Sequence, residues 1–291
     1  MQAPRAIDHL VIPARDLSAQ AELYRRLGFQ VGSRNRHPWG TENHIIQFEG
    51  SFLELIALGE GFEQPEREAG VFSFAAFVAQ FLARREGLAM LALRSEDAEA
   101  DRRRFAAEGV GDFARFDFGR KARRADGREA DVAFSLAFAA TPALPEAGFF
   151  VCQQHFPENF WNPAAQVHPN GAKGISGLAI VHERPAEAAA FLARFFGAPA
   201  ARADGGGVVV DADGVSIECR QRADFAQRAG AAIGADGPPI ALVRIAVDDL
   251  GAARRALDAG AIAHVEAGGS LFVGAEAAMG AAYAFEPVKS S

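Results

Sequence analysis

AIDHLVIP at residues 6–13 and ARDLSAQAELYRRLGF at residues 14–29 decide the fold. The first is a short apolar run interrupted by Asp8 and His9, with the length of a strand. Asp16 then stands where a helix N-cap belongs, ahead of Ala21, Leu23, Tyr24 and Leu27 at helical spacing. Gly28 closes the run in the manner of a C-terminal cap. Extended stretches follow at residues 29–32, 43–48 (NHIIQF) and 52–58 (FLELIAL), the last two joined by the short Glu49-Gly50-Ser51 turn. The order is strand, helix, strand, strand, strand.

That order returns three times. GLAMLALR (87–94) predicts a strand, residues 96–109 a helix, and residues 113–118, 130–139 and 149–156 three further strands, with Asp126-Gly127 as a hairpin-type turn. A Phe-rich helix, FSFAAFVAQFLARR (72–85), follows an acidic loop between these two units. A third unit begins at residues 177–182 and continues through a helix at 185–196 and strands at 208–211 and 215–220. A fourth runs from IALVRIAV (240–247) through a helix at 250–259 to strands at 263–267, 270–273 and 282–285. AIDHLVIPARDL echoes IALVRIAVDDL, with Asp16-Leu17 matching Asp249-Leu250, and Phe52-Leu53-Glu54-Leu55 echoes Ser216-Ile217-Glu218-Cys219. Repetition of this kind means one supersecondary unit reused, and pairing two units closes a core that one sheet cannot. NPAAQVHPNGAKG (162–174) is the boundary expected from its Pro, Gly and Asn content. It gives an N-terminal domain over 1–165 and a C-terminal domain over 172–291.

A chain of 291 residues exceeds what one hydrophobic core usually serves. The net charge of -7 argues against a nucleic-acid partner, whose phosphates need a basic face. Arg120, Lys121, Arg123 and Arg124 form a local basic cluster that reads as a solvated hairpin tip. Neither a signal peptide nor an apolar run of membrane-spanning length is evident, so no membrane partner is expected and the cytoplasm is the default location. Cys152 and Cys219 lie far apart in apolar runs and read as small packed hydrophobes. The 24 Phe against two Trp and two Tyr predict a Phe-rich core or an apolar substrate cavity.

Asp8-His9-Leu10-Val11-Ile12, the run YRRLGF ending at Phe29, and Phe52-Leu53-Glu54-Leu55-Ile56 resemble the vicinal-oxygen-chelate superfamily of glyoxalases, bleomycin-resistance proteins and extradiol dioxygenases. His37-Pro38 with Gly40-Thr41-Glu42-Asn43 resembles its glyoxalase-like-domain family, as do Cys152-Gln153-Gln154-His155, Phe160-Trp161 and His168-Pro169-Asn170-Gly171. The resemblance implies an α+β fold of two tandem glyoxalase-like domains, with four βαβββ modules forming paired cupped mixed sheets with flanking helices. It also implies a divalent metal inside the first cup, held from the first and fourth strands of a module, where His9 and Glu54 stand. Imidazole and carboxylate suit zinc, iron, manganese or nickel.

On the paired unit's fourth strand, Gln153 and His155 share one face. The expected metal set is therefore His9, Glu54 and His155, with Glu54 and Gln153 as the catalytic pair. His37, Thr41 and Asn43 are the substrate-binding candidates, or hold a loop over the cavity by turn chemistry. An Arg on Glu54 would instead make it a buried ion pair. His44 reads as packed or solvated and His168 as a surface residue of the linker. The second domain lacks a strand-one His, which leaves it as structure, lid or the surface of a homodimer.

Two functions follow from the resemblance. One is a divalent-metal-dependent enzyme, of lyase, isomerase or dioxygenase type, acting on a small oxygen-rich organic substrate. The other is a metal-free protein that sequesters a small molecule, in the manner of bleomycin-resistance relatives. A third reading is an assembly partner whose catalytic arrangement has decayed.

Overall fold

The computed structural model describes residues 4–66, 68–123, 127–198, 201–229 and 237–288. Asp126 and Arg124 of the expected hairpin tip lie outside them. The first module is β1 (Ile7–Pro13), α1 (Leu17–Arg26), β2 (Asn35–Arg36), β3 (Thr41–Gln47) and β4 (Phe52–Leu58). After α2 (Phe74–Leu82), the second is β5 (Met90–Ser95), α3 (Ala98–Ala107), β6 (Phe116–Arg123), β7 (Glu129–Ala139) and β8 (Gly148–Gln154). A one-turn helix, α4 (Pro157–Phe160), leads to the third module: β9 (Ala172–Val181), α5 (Pro185–Phe196), β10 (Arg202–Asp204), β11 (Gly207–Ala212) and β12 (Val215–Arg220). After α6 (Arg222–Ala229) comes the fourth: β13 (Ile240–Val247), α7 (Leu250–Ala259), β14 (Val265–Ala267), β15 (Ser270–Val273) and β16 (Ala282–Pro287).

The strands form two eight-stranded mixed sheets of one topology, β2-β3-β4-β1-β5-β8-β7-β6 and β10-β11-β12-β9-β13-β16-β15-β14. In each, the first and fourth strands of a module run parallel, and the two first strands meet antiparallel at the centre. The helix caps match the sequence reading. Asp16 accepts from the amides of Ser18 and Ala19 at 2.9 Å, and Asp249 does the same for Gly251 at 2.8 Å. The strand expected at 29–32 is the main difference. One amide there, that of Gly32, reaches Ile45 O at 2.9 Å, but the ladder forms later, at Asn35–Arg36. Gly28, at φ 84°, redirects the chain where Asn170 approaches, so Phe29 packs into the core instead of pairing in a ladder.

The two sheets share one core. Leu10, Ile12, Tyr24, Phe105 and Phe149 of the first half belong to the same buried cluster as Phe191, Phe195, Tyr283 and Phe285 of the second. At its centre the hydroxyls of Tyr24 and Tyr283 hydrogen-bond each other at 2.7 Å, and burial pushes both phenols above their ordinary pKa. The opposite face of each sheet holds a separate cluster: Phe74, Phe134, Leu136 and Phe150 on the first, and Ala179, Phe225, Leu242 and Phe272 on the second. His168 is a correction to the linker reading. It is buried, accepts from the Gln30 amide at 3.0 Å and donates to Gln47 O at 2.8 Å, tying the connection to the first sheet. No helix among the described residues is long and apolar enough to cross a membrane.

Candidate functional site

A small cavity of about 40 Å³ opens on the free face of the first sheet. Six phenylalanines and Trp39, with Ile45 and Leu136, form its apolar wall. The polar side chains are His9, His37, Asn43, Glu54 and Arg120, with the Cys152 thiol.

His9 reaches the cavity through a β-bulge. β1 pairs with β5 at Ile7–Leu93 and His9–Ala92, so Asp8 is an extra residue with no partner opposite it. Such a bulge re-aims the side chains that follow. Ile7, Leu10 and Ile12 stay in the shared core while His9 and Val11 turn to the cavity side. Asp8 is fully buried, and its Oδ2 lies 2.7 Å from His9 Nδ1. A carboxylate only accepts, so Nδ1 carries the proton and Nε2 keeps its lone pair. Gln154 donates to the other Asp8 oxygen at 3.0 Å, and the His9 ring stacks on Phe52 with centroids 4.3 Å apart.

Glu54 faces that lone pair, with its Oε2 3.9 Å from His9 Nε2. Asn43 donates to Oε1 at 2.5 Å, and His37 Nε2 lies 3.6 Å from the same oxygen. Burial is the main cause that lowers the His37 pKa to about 4, and the Arg120 charge adds to it against the pull of Glu54. His37 is therefore neutral at ordinary pH. Its Nδ1 is bonded to Thr41 Oγ1 at 2.8 Å, and Nε2 is the acceptor facing Asn43 at 3.3 Å. Among the described residues, no Arg or Lys nitrogen lies within 4.0 Å of Glu54.

The structure thus brings together His9, Glu54, His37 and Asn43. Thr41 is fully buried and acts behind His37 without lining the cavity. Gln153 and His155 do share one face, as expected, but it is the face turned away. Phe150 and Cys152 alternate with them into the cavity. Gln153 accepts from the Ala98 amide at 3.1 Å and donates to Glu96 O at 2.8 Å, holding the start of α3. His155 is exposed and its Nε2 bonds Ser135 Oγ at 2.8 Å. His44 is buried with Nδ1 donating to Gly32 O at 2.7 Å.

The residues that sequence reasoning missed are Asp8, Trp39 and Arg120. Two adjacent polar residues in an apolar strand were the available signal for Asp8. Arg120 is not the solvated tip residue expected. It follows Phe116 and Phe118 at period two on β6 and lines the cavity.

These donors fit a divalent cation. Two ligands each about 2.0–2.2 Å from an ion can stand 3.9 Å apart, as His9 Nε2 and Glu54 Oε2 do. Asp8 behind the imidazole is the usual orienting arrangement for a ligating histidine. Ligand atoms of Asp8, His9 and Cys152 also lie within 4.8 Å of one another. Both Asp8 oxygens, however, already accept hydrogen bonds, and burial raises the Cys152 thiol pKa well above its ordinary value, with Asp8 adding to the rise. A thiol must lose its proton to ligate, so this trio serves better as support for His9 than as a cage.

Comparison with known proteins adds the following. The pattern of a family described as glyoxalase-like domain matches residues 7–196. A hypothetical protein from Staphylococcus aureus is similar in structure at 14% identity and TM-score 0.66, covering 97% of this chain and 99% of that one. A triply substituted 4-hydroxymandelate synthase from Streptomyces coelicolor is similar at 16% identity and TM-score 0.58, covering 98% and 93%. A xylose isomerase-like TIM barrel/4-hydroxyphenylpyruvate dioxygenase fusion protein is similar at 13% identity and TM-score 0.57, covering 99% of this chain and 50% of that one. At such identities the likeness is one of fold. No curated protein matches the sequence.

Proposed function

This chain belongs to the glyoxalase-like domain family of the vicinal-oxygen-chelate superfamily, and we propose that it is a divalent-metal-dependent enzyme acting on a small oxygen-bearing organic substrate. The observation that carries the reading is the meeting of His9 Nε2 and Glu54 Oε2 at 3.9 Å inside an apolar cavity, without an Arg or Lys on the carboxylate. A buried carboxylate demands a cation or donors, and one Asn amide with two imidazole nitrogens leaves room for the cation. His9 and Glu54 are the proposed ligands, with the His37 lone pair as the nearest further donor. Zinc, iron, manganese and nickel all suit this set. The site falls in the first domain of a chain that we divide between residues 165 and 172.

The ion would act as a Lewis acid on an oxygen of the substrate. The chain's own residues do the rest. Asp8 holds His9 in the tautomer that leaves Nε2 free. Asn43 fixes one oxygen of Glu54, and the carboxylate is the group best placed to take or return a proton. The aromatic wall excludes water and strengthens each polar contact inside. Lyase, isomerase and dioxygenase chemistry are all compatible with this arrangement, and dioxygenase chemistry would require iron.

The second reading, a metal-free sequestering protein, draws on the aromatic wall. It calls for a protein cation on Glu54, and Arg120 acts on Glu54 only at longer range. Elemental analysis of protein purified without chelator separates the two. The enzyme reading expects about one transition metal per chain, lost in His9→Ala. Substoichiometric metal in the wild type, unchanged by His9→Ala, would overturn it.

A further inference from the structure

We propose that Arg120 anchors the carboxylate of an aromatic ligand in this cavity. The inference deepens the reading above and rests on it in one respect, that the cavity is a substrate site.

Alternation along β6 puts Phe116, Phe118 and Arg120 on one face. Phe118 and Phe116 both meet the Trp39 ring edge-on, at 4.6 and 5.1 Å between centroids. Arg120 lines both the inner cavity and a larger polar groove outside it, as do Ile45 and Phe160. It therefore stands at the neck between them.

Its guanidinium is short of acceptors. The one hydrogen bond it makes among the described residues runs from Nη1 to Lys121 O at 3.3 Å. Nε is buried without a partner, and no carboxylate oxygen lies within 4.0 Å of the side chain among the described ion pairs. Arg104 and Arg244 also leave a buried Nε unmatched, but each of those is paired with carboxylates. Burial lowers the Arg120 pKa, against the attraction of Glu54. A half-buried cation with an unmatched buried Nε is costly, and a ligand oxyanion would offset that cost. Trp39 Nε1, on the same wall, is a second buried donor with no acceptor among the described residues.

The remaining surfaces set the rest of the ligand. Six phenylalanines and Trp39 make flat apolar walls that suit a ring. A single guanidinium fork matches one carboxylate through two parallel hydrogen bonds. Glu54 places a negative charge in the same cavity, which disfavours a dianion such as a phosphate monoester. The fitting ligand is a monoanionic aryl acid, its ring among the phenylalanines and its carboxylate at the neck.

The test uses protein stripped with chelator, so that an ion at Glu54 cannot bind the carboxylate in place of Arg120. Failure of the metal reading would then show in elemental analysis and not here. Phenylacetate and its uncharged isostere phenylacetamide are titrated by calorimetry, with thermal midpoints checking that each variant is folded. The wild type is expected to bind the acid about tenfold or more tighter than the amide, as a charge-assisted pair requires. Arg120→Gln should remove that preference by weakening the acid far more than the amide, and Arg120→Lys should keep part of it. Equal binding of acid and amide by the wild type, binding of neither, or a preference that survives in Arg120→Gln would overturn the proposal.

Discussion

The free faces of the two sheets share a topology and treat the same carboxylate in opposite ways. In the first, Glu54 pairs across from Val11, and Phe52 from His9. In the second, Glu218 pairs across from Ala179, and Ser216 from Gly177. Glu218 thus stands in the place of Glu54, and Gly177 in that of His9. Even the bulge is kept. Ser176 is the extra residue between the Ile175–Ile245 and Gly177–Arg244 pairs, as Asp8 is in the first sheet.

What differs is what fills the cup. Arg220 Nε reaches Glu218 at 3.0 Å and Arg244 Nη2 reaches its other oxygen at 2.9 Å. Arg244 also pairs with Glu286, and Arg220 with Asp204. A Cβ on Gly177 would come within 3.0 Å of Arg244 Cδ, so the arginine occupies the space an imidazole would need. Ser176 Oγ, in the place of Asp8, has no partner among the described residues. One scaffold therefore carries either an open donor set or a closed chain of ion pairs, according to whether arginine or histidine faces the glutamate.

The largest expected effect breaks the comparison outright. Glu54→Gln and His9→Ala should each abolish bound metal in elemental analysis, while Glu218→Gln leaves metal content unchanged. Stability should show the reverse asymmetry. Glu218→Gln leaves Arg220 with Asp204 and Arg244 with Glu286 alone and should cost about 1–2 kcal/mol in denaturant unfolding. Glu54→Gln in metal-free protein should cost far less, because no arginine depends on it.

Asp8→Asn sharpens the role of the bulge. Loss of the orienting carboxylate should weaken metal affinity about 10–100-fold in competition titrations, with the fold retained.

The smallest effect is on pH dependence. The folded-state pKa of His37 is lowered to about 4, so the unfolded chain binds its proton first. Stability is then intact above about pH 6.5 and declines as pH falls toward 4. His37→Gln should flatten that slope in thermal midpoints measured on chelated protein.

The repeat was legible because each module writes its own signals. Asp16 and Asp249 cap helices at the same offset from a central strand, and turn residues separate the later strands. The site was legible as far as His9 and Glu54, whose polar side chains interrupt apolar strands. It was not legible on β8. Strands buried on both faces lose the alternation that tells inside from outside, so FFVCQQHF (149–156) does not show which parity faces the cavity. Gln153 and His155 fall on the other side for that reason. Arg120 was hidden by its neighbours. Lys121, Arg123 and Arg124 make the segment read as solvated, although Phe116, Phe118 and Arg120 keep a strict period of two. The bulge at Asp8 depends on pairing with β5 and leaves no local signature beyond two adjacent polar residues.

The most direct test is anomalous diffraction from crystals of protein purified without chelator, collected at the absorption edges of first-row metals. The account predicts one strong peak in the first cup, within bonding distance of His9 Nε2 and a Glu54 oxygen, and none beside Glu218. A cup without a peak, with the Arg120 guanidinium folded onto Glu54, would contradict it.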